Sequence, residues 1–339
     1  MRLITTMLAL LQVSSGAYAD AIKYIDTHVH LESRGGLIKF PEAARNAVET
    51  MAQKGISYSI LMPPPMLHSV RSPYDIDLLL PLVKEHSNRF GVMGGGLVLN
   101  GILHSKPAEK ITATDRAEFR AKAEQLLAKG AIGFGEITIV HFSLSMMGGG
   151  HPYEEIPADH PLLILLADIA AENDVPIDVH LDVSPEDRPL PAGLPSTNPA
   201  LLKENLAAFE RLLTHNTKAK IVWSHAGSDP GMMRTPALMR RLLAKHPNLY
   251  MSLRAARPDP NPATAWRQLG VLKEGWLALI RDFPDRFILG SDQFHPASED
   301  DRRTPSLGLD FLQKMVNNLP PDLAPKVAYE NAKRIYKLP

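Results

Sequence analysis

The 339-residue chain contains no cysteine. No disulfide can brace it and no thiolate can serve as nucleophile or metal ligand, so stability must come from the core and reactivity from other side chains. Neither sign of charge is in excess: Lys+Arg and Asp+Glu each number 37, for a formal net charge of +0. That balance argues against a polyanionic partner such as nucleic acid and favours a small neutral or modestly charged molecule as the binding partner. The N-terminal apolar stretch, Leu3 to Val13, is too short to span a bilayer, so no stable membrane anchor is expected. No G-x-G-x-x-G follows the first strand-like segment, which removes the main support for a dinucleotide site. Internal repeats, low-complexity tracts and linkers are also missing, so the chain reads as one domain.

What is present is the composition of a globular protein with a large core, 45% hydrophobic and 22% charged. Met1-Arg2, the apolar stretch and Ala17-Tyr18-Ala19 form the basic, apolar and small-residue parts of a secretory signal peptide. The expectation is a signal at residues 1–19, a mature domain over 20–339, and a secreted or periplasmic location.

Beyond that point, β-branched or apolar runs alternate with segments of helical period, the pattern of a parallel sheet with crossover helices. Eight strands are predicted, at 22–30, 57–62, 90–99, 131–139, 176–182, 220–227, 248–255 and 286–292. Helices are predicted between them at 41–54, 73–88, 114–129, 160–174, 198–215, 235–246 and 264–283, then at 305–318 and near 323–336. Eight strands each followed by a helix make a (β/α)₈ TIM barrel the economical fold, with an open doubly wound sheet as the alternative. Two long connections, 140–159 and 183–198, follow predicted strands and are expected to shape a pocket.

The chemistry-bearing residues recur at one place. His28 and His30 form an H-x-H at the end of the first strand, and the two-residue period points both to one face. Glu136 lies near the end of the fourth strand, His180 ends the fifth, His225 the sixth and Asp292 the eighth. In a barrel these edges form the face where active sites sit. Imidazoles and carboxylates without sulfur suit Zn²⁺, and also Mn²⁺, Fe²⁺ or Co²⁺, as one or two ions. The implied reaction is hydrolysis by metal-activated water, with Asp292 accepting the proton. For Glu136 the competing reading is an ion pair with an arginine inside the barrel.

Taken together, "DTHVHLE", "GFGEI", "DVHLD", "WSHAG", "GSD" and "YENAKRIYKL" resemble the amidohydrolase superfamily, in its amidohydrolase-2-type branch of TIM-barrel metal-dependent hydrolases. The resemblance covers most of the mature chain in the right order. It implies that His28, His30, His180 and His225 bind metal or water, and that Asp292 acts as base and often as ligand. Where binuclear members bridge their metals with a carboxylated lysine on the fourth strand, this sequence has Glu136, which can bridge two metals directly. His225 is then either a second-ion ligand or a hydrogen-bonding partner of water or substrate. The resemblance further implies a small carboxylic ester, lactone or amide as substrate, and a homodimer. Non-oxidative decarboxylation, known in the same branch, is the alternative activity. A non-catalytic secreted ligand-binding protein on the same barrel is the alternative outside enzymology.

Other residues are weighed alongside these. Arg254 and Arg257 follow the seventh strand and suit a substrate carboxylate or phosphate, unless Arg254 pairs with Asp292 or a loop carboxylate instead. His141 and His151 flank the segment "SLSMMGGG", with His141 a candidate substrate contact. His68 is a similar loop histidine. His86, His104, His215 and His246 are expected at the surface. Trp223 is expected to pack under the outer helices, and the Met62 to Met66, Met146-Met147 and Met232-Met233 pieces to line a pocket or fill the core. Asp26, two residues before the H-x-H, is expected to orient a ligand.

Overall fold

The computed structural model describes residues 22–32, 37–65, 74–144, 152–298 and 307–339. The expected signal at 1–19, together with His68, His151, Met66 and Met146-Met147, lies outside the described residues.

Eight strands form the framework. They are β1 Tyr24–Glu32, β2 Ile56–Leu61, β3 in two pieces (Phe90–Val92 and Gly94–Gly95), β4 Phe134–His141, β5 Pro176–Leu181, β6 Lys220–Ala226, β7 Leu249–Leu253, and β8 in two pieces (Phe287–Leu289 and Gln293–Pro296). Each pairs in parallel with the next in chain order. The second piece of β8 then pairs with β1, Val29 opposite Gln293 and His30 opposite Phe294. Between the two pieces, the Asp292 N–H donates to the His28 carbonyl at 2.9 Å. Strand eight therefore meets strand one, and the sheet is the closed (β/α)₈ barrel that the alternation predicts.

Strand side chains alternate between two cores, as a two-residue period requires. Ile25, Ile60, Met62, Val222 and Ile288 fill the barrel interior, whereas Leu61, Ile221, Trp223, Phe287 and Leu289 pack outward. Around them stand α1 Phe40–Lys54, α2 Ile76–Glu85, α3 Val98–Leu103, α4 Ala113–Lys129, α5 Pro161–Asn173, α6 Leu206–His215, α7 Pro236–Lys245, α8 Glu274–Asp282, α9 Leu307–Asn318 and α10 Asn331–Tyr336. The helix ends follow local chemistry. A Thr112/Asp115 capping box opens α4 and Gly130 at φ 115° closes it, and α7 opens with Thr235 accepting from Leu238 N ahead of Pro236. At the floor, Ile335, Tyr336 and Leu338 pack on Ile25, Val222, Tyr250 and Ile288, so the C-terminal segment plugs the barrel.

Three expectations are corrected. The strand expected over 90–99 stops at Gly95, and residues 98–103 form α3. The cause is the Gly94-Gly95-Gly96 run: Gly95 has φ 106°, and a Cβ at Gly96 would collide with the Pro63 carbonyl oxygen, so the chain turns there in a way that a side chain would block. The helix expected over 264–283 begins at Glu274, because Trp266–Gln268 and Val271–Leu272 form an antiparallel hairpin turning at Gly270, φ 71°. The helix expected from 198 begins at Leu206, since Leu201–Leu202 pairs back onto Arg188–Pro189 within the long connection after β5.

Gly290, the first residue of "GSD", is a sharp test of this packing. A Cβ there would come within 2.8 Å of His28 Cβ and closer still to Ser252 Oγ. Gly290→Ala is expected to cost about 1–3 kcal/mol in denaturant unfolding through overpacking. An unchanged midpoint would show that β1 and β8 are looser at this level than the structure has them.

Candidate metal centre

His28 and His30 stand edge to face on β1, ring centroids 5.0 Å apart. Each has its far nitrogen engaged. His28 Nδ1 donates to Asp178 at 3.3 Å, and His30 Nδ1 donates to the Met62 carbonyl at 2.9 Å. The Nε2 atoms of both rings are the ones turned towards the carboxylates of Glu136 and Asp292. Asp292 Oδ1 lies 3.2 Å from His30 Nε2 and 3.9 Å from His28 Nε2, and Glu136 Oε2 lies 3.7 and 3.4 Å from the same two atoms.

The other oxygen of Glu136 faces a second pair of imidazoles. Oε1 is 2.6 Å from His180 Nδ1 and 3.0 Å from His225 Nε2, and those two nitrogens are 3.2 Å apart. Glu136 thus divides its two oxygens between the β1 histidines and the β5 and β6 histidines. No arginine pairs with it among the described residues, so the ion-pair reading of this carboxylate is set aside.

Irregular backbone aims several of these groups. The β1–β2 register slips between Asp26 and Val29, so a strand that sends Ile25 inward also sends His28 and His30 inward. The β6–β7 register slips between Trp223 and Ala226, and His225 there has φ 62°. Asp292 has φ 55°, in the break between the two pieces of β8. Left-handed backbone at non-glycine residues costs about 1–3 kcal/mol and persists where the surroundings hold it, which is characteristic of functional positions.

Electrostatics agree with a cation site. Burial opposes the charged form of Glu136, yet His28, His180 and His225 hold its pKa well below the usual range. Burial likewise opposes charge on Asp292, but Arg254 and then His30, His225 and His28 hold its pKa far below that of an ordinary carboxyl. His28 is raised well above the usual imidazole value: burial works against its charge, and Asp178 and Glu136 outweigh burial. His180 is raised to about 9 against its own burial by Asp182 and Glu136, whereas burial lowers His225 to about 4. Ionised carboxylates are thus packed among imidazoles with little access to water.

A divalent ion fits these residues on one direct observation: His28 Nε2 and His30 Nε2 are buried and make no hydrogen bond. Two atoms of that kind, facing a carboxylate oxygen, are what a cation site requires. Among the described residues two sets of donors lie close enough to share an ion, His28 with His30 and Asp292, and His28 with Glu136 and His225.

The remaining predicted residues divide. Arg254 Nη2 is 2.9 Å from Asp292 Oδ2 and its Nη1 is 3.4 Å from Ser228 Oγ, with about one-third of the side chain exposed at 33%. Arg257 is exposed on the loop after β7, and among the described residues no hydrogen bond or ion pair ties it to the cluster. His141 is buried rather than solvated in a loop: it is the last residue of β4, its ring centroid 4.5 Å from that of His180. His246 and His104 are also less exposed than expected. His246 ends α7 in a buried position beside Glu210, and His104 Nε2 donates to the Thr138 carbonyl. His215 is exposed and pairs with Asp168, and His86 is half-buried. Trp223 packs on Phe209 of α6 as expected. Asp26 orients no imidazole; its carboxylate accepts the Ser291 N–H at 2.8 Å and the His28 N–H at 3.4 Å, bracing the backbone.

The structure adds two carboxylates to the cluster beyond those assigned from the sequence, Asp178 beside His28 and Asp182 beside His180 Nε2 at 3.4 Å. The signal was available in "DVHLD", where both acids share the face of His180 by the two-residue period.

Known structures carry the same fold. The chain is similar to an amidohydrolase from Burkholderia multivorans with bound zinc, at TM-score 0.50 and 15% identity, covering 94% of this chain and 100% of that one. It is also similar to Helicobacter pylori aminofutalosine deaminase, at TM-score 0.52 and 13% identity, covering 94% of this chain and 73% of that one. No curated protein sequence matches. The amidohydrolase family matches over residues 25–338, from β1 through α10. With that match spanning every barrel strand, the chain belongs to the amidohydrolase family and is a metal-dependent hydrolytic enzyme.

Proposed function

We propose that this enzyme hydrolyses a small carboxylic ester, lactone or amide with water activated at the centre built on Glu136, with zinc as the ion. The observation that carries this reading is the pair of buried Nε2 atoms on His28 and His30, which have no hydrogen bond and face Asp292. His28, His30 and Asp292 would hold one ion. His180 and His225 would hold a second, with Glu136 between the two. The donor set is nitrogen and oxygen only, which suits Zn²⁺ and also Mn²⁺, Fe²⁺ or Co²⁺; the zinc in the Burkholderia relative supports zinc first.

A divalent ion here supplies a Lewis acid that polarises a carbonyl oxygen and brings the pKa of water towards neutrality. The protein's own residues do the rest. Asp292 takes the proton from the attacking water and passes it to the leaving group. Arg254 fixes Asp292 from its outer side and, being one-third exposed (33%), would offer its guanidinium to an anionic or carbonyl group of the substrate. His141 lines the wall beside His180, and Arg257 stands at the lip. If one ion binds, His225 serves as a hydrogen-bonding partner of water or substrate.

Metal quantification and a substrate panel test the reading. One or two ions per chain are expected, with turnover of an ester, lactone or amide lost on chelation and restored by zinc. Metal uptake at pH 8 is expected to release protons, because His180, raised to about 9, is protonated there in the metal-free protein. Chelator-resistant turnover sinks the proposal, and carbon dioxide release with a single ion replaces it with decarboxylation.

A further inference from the structure

β5 and the residue that follows it place acid, imidazole and acid at every second position, Asp178, His180 and Asp182. Asp178 is fully buried, and its carboxylate lies 3.3 Å from His28 Nδ1 and accepts the Ser224 hydroxyl from β6. Among the described residues no lysine or arginine pairs with it. Beneath it is the floor of the barrel, where the Tyr336 hydroxyl sits close enough to feel its charge. A buried carboxylate facing an imidazole and one hydroxyl is costly unless positive charge lies nearby. The far nitrogen of that same imidazole is one of the two bare Nε2 atoms of the metal centre.

The H-x-H pair is therefore held unequally. His30 leans on a neutral carbonyl, that of Met62, and His28 on an anion. A carboxylate behind a ligating histidine fixes its tautomer and ring orientation and makes it a stronger donor. Resting on the metal-centre reading above, we propose that Asp178 is a positioning residue: with Ser224 as its anchor, it holds His28 with Nδ1 protonated and Nε2 presented to the ion.

Cobalt(II) binding to the full chain tests this, read by competition with a chelator and by the visible absorption of the bound ion. Asp178→Asn is expected to weaken cobalt binding about 10–100-fold and to shift the absorption bands. Ser224→Ala, which keeps the carboxylate but frees it, is expected to weaken binding about 2–10-fold, the worth of one hydrogen bond. In a His28→Ala background, Asp178→Asn is expected to add no further loss, because its effect passes through that ring. An equal loss in both backgrounds, or a folded Asp178→Asn with wild-type affinity and spectrum, overturns the proposal. Should Asp178→Asn fail to fold, Ser224→Ala decides, and unchanged affinity there overturns it. Wild-type protein that takes up no cobalt removes the metal-centre reading itself, an outcome separate from wild-type binding that the variants leave untouched.

Discussion

Asp292→Asn is expected to keep its metal and lose about 10²–10⁴-fold in kcat, the usual worth of a positioned acid–base group. Asparagine matches aspartate in size, and its carbonyl oxygen can replace Oδ1, which lies 3.2 Å from His30 Nε2. The backbone has no reason to move, since asparagine tolerates the left-handed conformation at φ 55° as readily as aspartate does. What the amide cannot do is take a proton from water. Metal content by elemental analysis, set beside kcat at saturating substrate, separates the two roles. Loss of the ion together with turnover would make Asp292 chiefly a ligand, and full activity would remove it from the proposed chemistry.

Glu136→Gln is expected to act on both halves of the centre. Its oxygens serve His28 and His30 on one side and His180 and His225 on the other. Taking one charge from a buried, paired cluster costs about 3–5 kcal/mol. The variant is therefore expected to bind fewer ions per chain than wild type and to unfold at lower temperature. A pH signature accompanies this. In the metal-free wild type the folded pKa of His180 is raised to about 9, against its burial, by Asp182 and Glu136. That contribution is fully present below the ordinary imidazole pKa of about 6.5 and is lost as pH rises through 9. Chelated wild type should lose thermal stability across this window, and Glu136→Gln should lose less of it. Melting curves with chelator at pH 6.5 and 9 measure the difference; identical pH dependence would mean that Glu136 does not hold the His180 proton.

Much of this site was legible because barrel strands end at a common face. A histidine or acid at the end of "DTHVH", "DVHLD", "WSHAG" or "GSD" is carried to that face by the fold alone, and Glu136, His28, His30, His180, His225 and Asp292 do converge. The pairings were harder to read. That Asp178 backs His28 depends on the lateral order of β1 and β5 across a closed ring, a contact of 150 residues in sequence separation. That Asp26 bonds backbone and not an imidazole follows from a register slip that the alternating pattern does not carry. The segment "SLSMMGGG" soon after His141 suggests a loop, yet β4 continues to that residue. The hairpin at Trp266–Gln268 and Val271–Leu272 was hidden by an apolar content that suits either helix or strand.

The plugged floor bears on how the protein comes into being. His28 and Asp292 arise near opposite ends of the chain, and the base of their cavity is sealed by Ile335, Tyr336 and Leu338. Early strands leaving a ribosome therefore present histidines that have neither a pocket nor an opposing acid. The full ligand cluster therefore exists only once the C-terminal part of the chain has closed onto β1, so ion binding is expected to follow barrel closure and not to nucleate it.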